Sequence, residues 1–271
     1  MTNLYPPPLD QLLSLGTAHD IHDDYDYLAL GLGAEHIPGL IAMATDETFS
    51  TTDVDTIAAW APIHAWRTLG RLRAEAAIEP LLSLLHHIDD DGDDWVGDEL
   101  PLIFGQIGPA AIPALAAYLA NQAHGEFARI AAARALEEIG KAFADSRQAC
   151  ADVFSRRLEQ PGSNTPSING FLISYLLTLR ALEAAPIMER AFAANAVDLT
   201  VVGDWEDVQI ELGLRSRRET PRRNYMAEAL GLPDRPLLSR RQQRSLARSI
   251  RKTTNPWAEE KRKQAKKKRK K

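Results

Sequence analysis

GPAAIPALAAYL, residues 108–119, opens like an apolar helix yet carries Pro109 and Pro113. A proline inside a helix removes a hydrogen bond and clashes with the preceding turn. In the first turn it removes a bond that was never made, because the first four amides have no intrahelical partner. The stretch therefore predicts a helix starting near Ala110 or Ala111, with Pro113 at its entrance.

The same signature recurs. GAEHIPGLIAMA (33–44), RAEAAIEPLLSLL (73–85) and ALEAAPIMERAF (181–192) each place small or charged residues before a proline, then apolar residues at helical spacing. Pro38, Pro80, Pro113 and Pro186 lie 42, 33 and 73 residues apart. The last gap is close to two periods, so a further member is expected near residue 150. ADSRQACADVFSRRL (144–158) has the spacing, with Cys150 near the proline slot.

A second helical pattern precedes each of these. The stretches are DYDYLALGLG (24–33), IAAWAPIHAWRTLGRL (57–72), DWVGDELPLIFGQIG (94–108), EFARIAAARALEEIGKAF (126–143) and FLISYLLTLRAL (171–182). In the fourth, Ile130, Ala131, Ala135, Leu136 and Ile139 form an apolar stripe opposite Arg129, Arg134, Glu137, Glu138 and Lys141. Gly33, Gly70, Gly108 and Gly140 fall where these patterns end, as left-handed caps would. Each unit thus reads as helix, glycine turn, helix, with a period of about 35–42 residues. One such unit cannot bury its apolar face alone. Stacked neighbours can, so the fold class expected is all-α, an α-solenoid of about five hairpins.

These units resemble HEAT repeats, especially the bacterial HEAT-like repeats also found in phycobilisome lyases. The resemblance rests on the Gly…Ala-Ile-Pro-x-Leu pattern and the period, and covers about residues 25–195. GDWEDVQIELGLRSRRETPRRNY (203–225) is similar to the segment after the repeats in some bacterial HEAT-repeat proteins. Some of those end in a Cys-rich metal site. With Cys150 as the one cysteine, neither that motif nor an intrachain disulfide can form, and a reducing cytoplasm is expected. The family hosts scaffolds, lyases, nucleic-acid enzymes and transport factors, and the function expected of this array is that of a non-enzymatic scaffold with a protein partner on its extended surface. The resemblance places the second helix of each unit on the concave side, which makes Asn121, Arg156, Arg157, Glu189 and Arg190 the candidate contacts.

The organisation expected is an N-terminal capping segment (1–24), the array (25–195), a C-terminal helix and wrap (196–238) and a basic tail (239–271). LYPPPLDQLLSLG (4–16) reads as a short proline-started helix that caps the array. Asp204 is placed to N-cap a helix running to Gly213, with Trp205 packing it onto the last repeat, and the Arg- and Pro-rich 215–240 reads as an extended wrap. MTNLYPPPLD lacks the basic and apolar regions of a signal peptide, and no apolar stretch is long enough to span a bilayer.

The net charge of −5 hides a division. Residues 1–200 hold 11 Lys and Arg against 28 Asp and Glu, whereas residues 235–271 hold 16 against 2. The run Lys261, Arg262, Lys263, Lys266, Lys267, Lys268, Arg269, Lys270 and Lys271 is dense enough to bind polyanions by counterion release. The alternative function is therefore an RNA- or DNA-associated accessory protein anchored by this tail. The tail could equally fold onto the acidic body, or serve only as a solvated terminus.

Several motifs invite chemistry and fall short of it. HHIDDDGDDWVGDE (86–99) puts Gly92 in the glycine slot of a calcium loop, but the first ligand would be His87 and the twelfth Asp98. It reads instead as an acidic loop whose Asp93 or Asp94 caps the next helix. HDIHDD (19–24) offers His19 and His22 three apart, with no further histidine at a matching spacing, and reads as a polar loop. Gly31-Leu32-Gly33 lacks the strand and third glycine of a dinucleotide motif. Cys150 has no activating neighbour and reads as a small core residue. Trp60 and Trp66, six apart, read as core and edge residues. The net of −17 over residues 1–200 opposes a nucleic-acid groove on the body. No catalytic residue, metal or cofactor is expected.

Overall fold

A computed structural model describes residues 5–21, 25–49 and 56–231, and among these every regular element is a helix. In chain order the α-helices begin with α1 (Ile37–Ala44), α2 (Ala61–Arg71), α3 (Ile78–Leu82), α4 (His87–Asp90), α5 (Asp94–Ile107) and α6 (Ile112–Ala120). They continue with α7 (Glu126–Ala142), α8 (Arg147–Leu158), α9 (Pro166–Thr178), α10 (Ala185–Ala193), α11 (Leu199–Val202), α12 (Trp205–Glu211) and α13 (Tyr225–Ala229).

One local turn recurs. A three-residue 3-10 segment runs directly into an α-helix at Ala34–His36, Glu75–Ala77, Pro109–Ala111, Ala144–Ser146 and Leu182–Ala184. These starts are 41, 34, 35 and 38 residues apart. The N–H groups of His36, Ala77, Ala111, Ser146 and Ala184 donate to the carbonyls of Gly33, Ala74, Gly108, Phe143 and Ala181, all at 2.9–3.0 Å. Both prolines of the opening stretch fit this geometry. Pro109 is first in the 3-10 segment and Pro113 second in α6, where neither amide is needed.

The register past the turn is constant. Counted from the first α-residue, the fourth is Leu40, Leu81, Leu115, Cys150 or Met188, and each is completely buried. The sixth is Ala42, Ser83, Ala117, Asp152 or Arg190, and each is exposed. This places two residues more exactly than the proline spacing does. Gln148, not Cys150, occupies the slot of Pro38, Pro113 and Pro186, and Cys150 stands in the leucine slot. Pro80 is one residue late, third in α3.

Three of the four expected glycine caps are not caps. Only Gly108 has a left-handed φ, at +98°. Gly33 is extended at −138°, and Gly70 and Gly140 lie inside α2 and α7. The left-handed residues that end α2 and α9 are Arg73 (φ +49°) and Arg180 (φ +52°). In each case the next amide reaches back, from Ala74 to the Leu69 carbonyl at 3.0 Å and from Ala181 to that of Leu176 at 2.9 Å. The helical glycines serve close packing instead. A Cβ on Gly140 would lie 2.9 Å from a Leu179 methyl, and one on Gly105 only 2.7 Å from Glu138 Cβ.

Two boundaries also differ from the sequence expectation. DYDYLALGLG yields a single 3-10 turn, Tyr27–Leu30, rather than a full helix. The Asp26 carboxylate accepts from the Leu28 and Ala29 amides, and Gly31 at φ +82° ends the turn at once. Conversely α9 starts five residues before Phe171, because Thr165 caps it and Pro166 suits its first position.

Helices α2, α5, α7 and α9 pack in sequence, α2 on α5, α5 on α7 and α7 on α9. On their other side α3 packs on α6, α6 on α8 and α8 on α10, while α1 packs on α2, α6 on α7 and α8 on α9. One continuous core results, from Tyr5 to Val208. The N-terminal 3-10 segment Leu9–Ser14 joins it through Leu9 and Leu12 and packs on α2.

This first compact unit ends at Arg218. Asp204 N-caps α12 in a reciprocal box with Asp207, and Trp205 meets Phe192 with ring centroids 5.6 Å apart. Arg218 closes the segment, donating to both Asp204 oxygens at 3.0 and 2.5 Å and pairing with Asp207 at 2.6 Å. The second unit begins at Glu219. Its described part contains a short helix, α13, capped by Asn224, where the sequence suggested an extended wrap. No single helix among the described residues is long and apolar enough to cross a membrane.

Candidate functional site

Phe49, Trp60, Trp66 and Trp95 converge on one cleft. It holds about 570 Å³ and is walled by the turn after α1, the start of α2, and the α4–α5 junction. Trp60 and Trp95 form its aromatic wall, with centroids 5.2 Å apart and planes at 81°. Trp66 lies deeper, buried, with its indole N–H donated to the Ala44 carbonyl at 2.9 Å. Phe49 closes the other side and meets Tyr5 with ring centroids 6.2 Å apart and planes tilted by 30°.

The rim is acidic. Asp46, Glu47, Asp91 and Asp93 line the cleft, and among the described residues no Lys or Arg does. Hydrogen bonds from the Tyr5 and Thr48 hydroxyls hold the Asp46 carboxyl below its ordinary range. The Tyr5 bond is 2.6 Å long. Asp93 receives the Val96 amide at 3.1 Å as N-cap of α5, and His87 Nδ1 lies 2.5 Å from the Asp91 carboxylate. The arrangement suits a cation: π faces and carboxylates attract positive charge together.

A polar network backs the Trp60–Trp95 wall, buried at Arg67 and His64 and exposed at His19. His19, from the loop after the first 3-10 segment, meets Trp60 at 5.2 Å and Trp95 at 4.7 Å, edge to face with both. Arg67 of α2 holds that loop on either side of His19, donating to the Ala18 carbonyl at 3.3 Å and the Ile21 carbonyl at 3.2 Å. The rest of its guanidinium forks onto Glu99 of α5 at 3.0 and 2.5 Å. One turn earlier, His64 is completely buried; its Nε2 faces the Gly16 carbonyl at 2.9 Å, and the Tyr27 hydroxyl meets its Nδ1 at 3.0 Å. The carbonyl can only accept, so Nε2 carries the proton and, in the neutral ring, the Tyr27 hydroxyl donates to Nδ1.

Burial, then the charge of Arg67, lowers the His64 pKa; the Gly16 carbonyl acts in the opposite sense. The native state therefore resists the proton that the unfolded chain accepts near pH 6.5. Stability contributed by neutral His64 is full above that pH and falls as the solution is acidified below it. The expected result is a lower urea midpoint at pH 5 than at pH 7.5, with a flatter profile in His64→Gln.

A second cavity of about 620 Å³ lies among α2, α5 and α7. Its charges are mixed: Arg71, Arg73 and Glu138 line it, Arg67 is paired with Glu99, and Arg73 lies over the Phe143 ring at 5.5 Å.

The candidate contacts Asn121, Arg156, Arg157, Glu189 and Arg190 line neither cavity. Asn121 is exposed at the end of α6, where its side chain caps a turn to Ala123 and meets His124. Arg156 on α8 and Glu189 and Arg190 on α10 are exposed. Arg157 is half-buried and donates to Asn164 at 2.6 Å. Asn164 also receives Arg129 at 3.1 Å and donates to Asn169, which in turn reaches the Pro161 and Ala196 carbonyls. Arg157 thus belongs to a polar ladder that ties α7, α8 and α9 together. The run from Lys261 to Lys271, and His22 with Asp23 and Asp24, lie outside the described residues.

The chain matches no family model, no curated protein and no solved structure.

In the acidic stretch 86–99, Asp89 is turned toward α7. It accepts the Phe127 amide at 3.0 Å and the Ala128 amide at 2.7 Å. Gly125, the N-cap residue of α7, offers no side chain for this. Among the described residues no group of three or more His, Cys, Asp and Glu is placed to hold a metal ion. Asp89→Ala is expected to cost about 1–2 kcal/mol, as the loss of a charged cap does, measured by urea unfolding.

Proposed function

We propose that this chain is a non-enzymatic α-solenoid of about five HEAT-like hairpins that binds a protein partner on its extended surface. One observation carries the reading: the same 3-10–α turn recurs five times with a buried fourth residue and an exposed sixth. Units built this way lean on their neighbours and leave a long side-chain surface over for recognition. The sequential packing of α2, α5, α7 and α9 beside α3, α6, α8 and α10 is what such an array requires. Arg156, Glu189 and Arg190 are the contacts proposed on the α8–α10 side; Asn121 and Arg157 belong to the same surface but are engaged in turns and ladders of their own.

The test is affinity capture from the native cell with cross-linking. A protein cross-linked near α8 and α10, and lost on combined Arg156→Glu and Arg190→Glu substitution, supports the reading. Capture unaffected by these charge reversals overturns that surface.

The charge of residues 235–271, 16 bases against 2 acids, favours a second reading, attachment to RNA or DNA through the tail. It requires salt-sensitive RNA binding that disappears on deletion of residues 239–271. Equal binding by the shortened chain rules it out.

A further inference from the structure

The acidic, aromatic cleft is separate from the surface argued above, and its chemistry selects a different kind of contact. We propose that it binds a basic peptide segment of a partner protein, with an Arg or Lys side chain seated against Trp60 and Trp95. The proposal rests on the reading of the chain as a protein-binding array and names the chemistry of one partner segment.

Three features argue for that occupant. The first is charge. Asp46, Asp91 and Asp93 line the concavity, and among the described residues no Lys or Arg joins them there. Asp91 keeps 62% of its side-chain surface in contact with solvent, and so remains open to an incoming cation. The second is the aromatic wall. Two indoles at 81° and 5.2 Å present one ring's face beside the other's edge, and both remain only half-buried. A guanidinium or ammonium ion prefers the face of Trp over any other ring. The third is rigidity. His19 packs on both rings without lining the cleft, and the Arg67–Glu99 pair fixes the loop that carries it, so little ordering entropy is lost when a side chain enters. At about 570 Å³ the cleft has room for one long side chain with its flanking backbone.

The experiment is isothermal titration of the full-length protein with a twelve-residue peptide of alternating Arg and Ser, acetylated and amidated. An isosteric control carries citrulline in place of arginine. Saturable binding is expected, at one peptide per chain, at least tenfold tighter than for the citrulline peptide and weakening as salt rises. Trp95→Leu is expected to weaken it at least tenfold, with Trp95→Phe intermediate. Asp91→Asn is expected to weaken it severalfold and reduce its salt dependence. Equal affinity for the citrulline peptide overturns the proposal on the unaltered protein, whatever the variants do. So does an unchanged affinity in Trp95→Leu, or preference for an RNA oligonucleotide that these substitutions do not touch. Loss of peptide binding with native-partner capture intact removes this inference alone; partner capture that Arg156→Glu and Arg190→Glu leave unchanged removes the broader reading instead.

Discussion

Arg67→Ala lowers the stability of the chain by about 3–5 kcal/mol, the loss seen when one member of a buried ion pair is removed. The pair is well shielded, with side-chain exposures of 10% for Arg67 and 14% for Glu99. Alanine would strand the Glu99 carboxylate and also the Ala18 and Ile21 carbonyls, three acceptors with one donor group. Glu99→Gln should cost less, because the guanidinium keeps both carbonyls and one amide oxygen. Arg67→Lys should recover little, since a single ammonium cannot span the fork and the loop together. Urea unfolding of the three variants checks the order. The same substitution frees His19 from Trp60 and Trp95, so native tryptophan emission should change in Arg67→Ala and remain nearly unchanged in Glu99→Gln. Stability loss without any change in emission would separate the ion pair from the cleft.

The second large effect belongs to the recurring leucine slot. Leu115→Ala is expected to cost about 2–5 kcal/mol, the range for a fully buried leucine truncated in a tight core. Leu115 is completely buried, between α6 and the helices on which it packs, α7 and α8. The matched control is Ala117→Ser two residues on, an exposed position where a shift within about 0.5 kcal/mol is expected. Pro113→Ala should be equally mild, since that proline occupies the second position of α6 and withholds no needed amide. Comparable losses at Leu115, Ala117 and Pro113 would mean that the register is misassigned.

The helical class and the ends of α5 and α7 were legible because their apolar stripes are long and sharply bounded. Asp93 and Asp204 were legible as caps because an acid directly before an apolar helical run has one common use. The glycine caps were misread for a physical reason. Glycine near a helix end serves either a left-handed turn or a close crossing, and sequence alone does not separate the two. Gly140 serves the crossing, and Arg73 and Arg180 take the left-handed turns at a modest steric cost. The cleft was hidden for another reason. Trp60 and Trp95 stand 35 residues apart, on different units, and His19 joins them from a third segment. The available signal was the pairing of isolated tryptophans with the acidic stretch at 89–94, and it becomes a site only once α2 packs on α5. Asp89 shows the same limit. It reads as a loop acid, and its task lies at the start of a helix 38 residues later.

The register of the recurring unit is tested most directly by thiol labelling. In a Cys150→Ala background, single cysteines are placed at Leu40, Leu81, Leu115 and Met188, and beside them at Ala42, Ser83, Ala117, Asp152 and Arg190, with native Cys150 as the fifth buried site. Burial already raises the Cys150 thiol to a pKa of about 11. The account predicts that all five buried sites react only as fast as global unfolding exposes them, while each cysteine two residues on reacts like a free thiol. A buried-slot cysteine that labels as freely as its exposed neighbour, in a variant that remains folded, would contradict it.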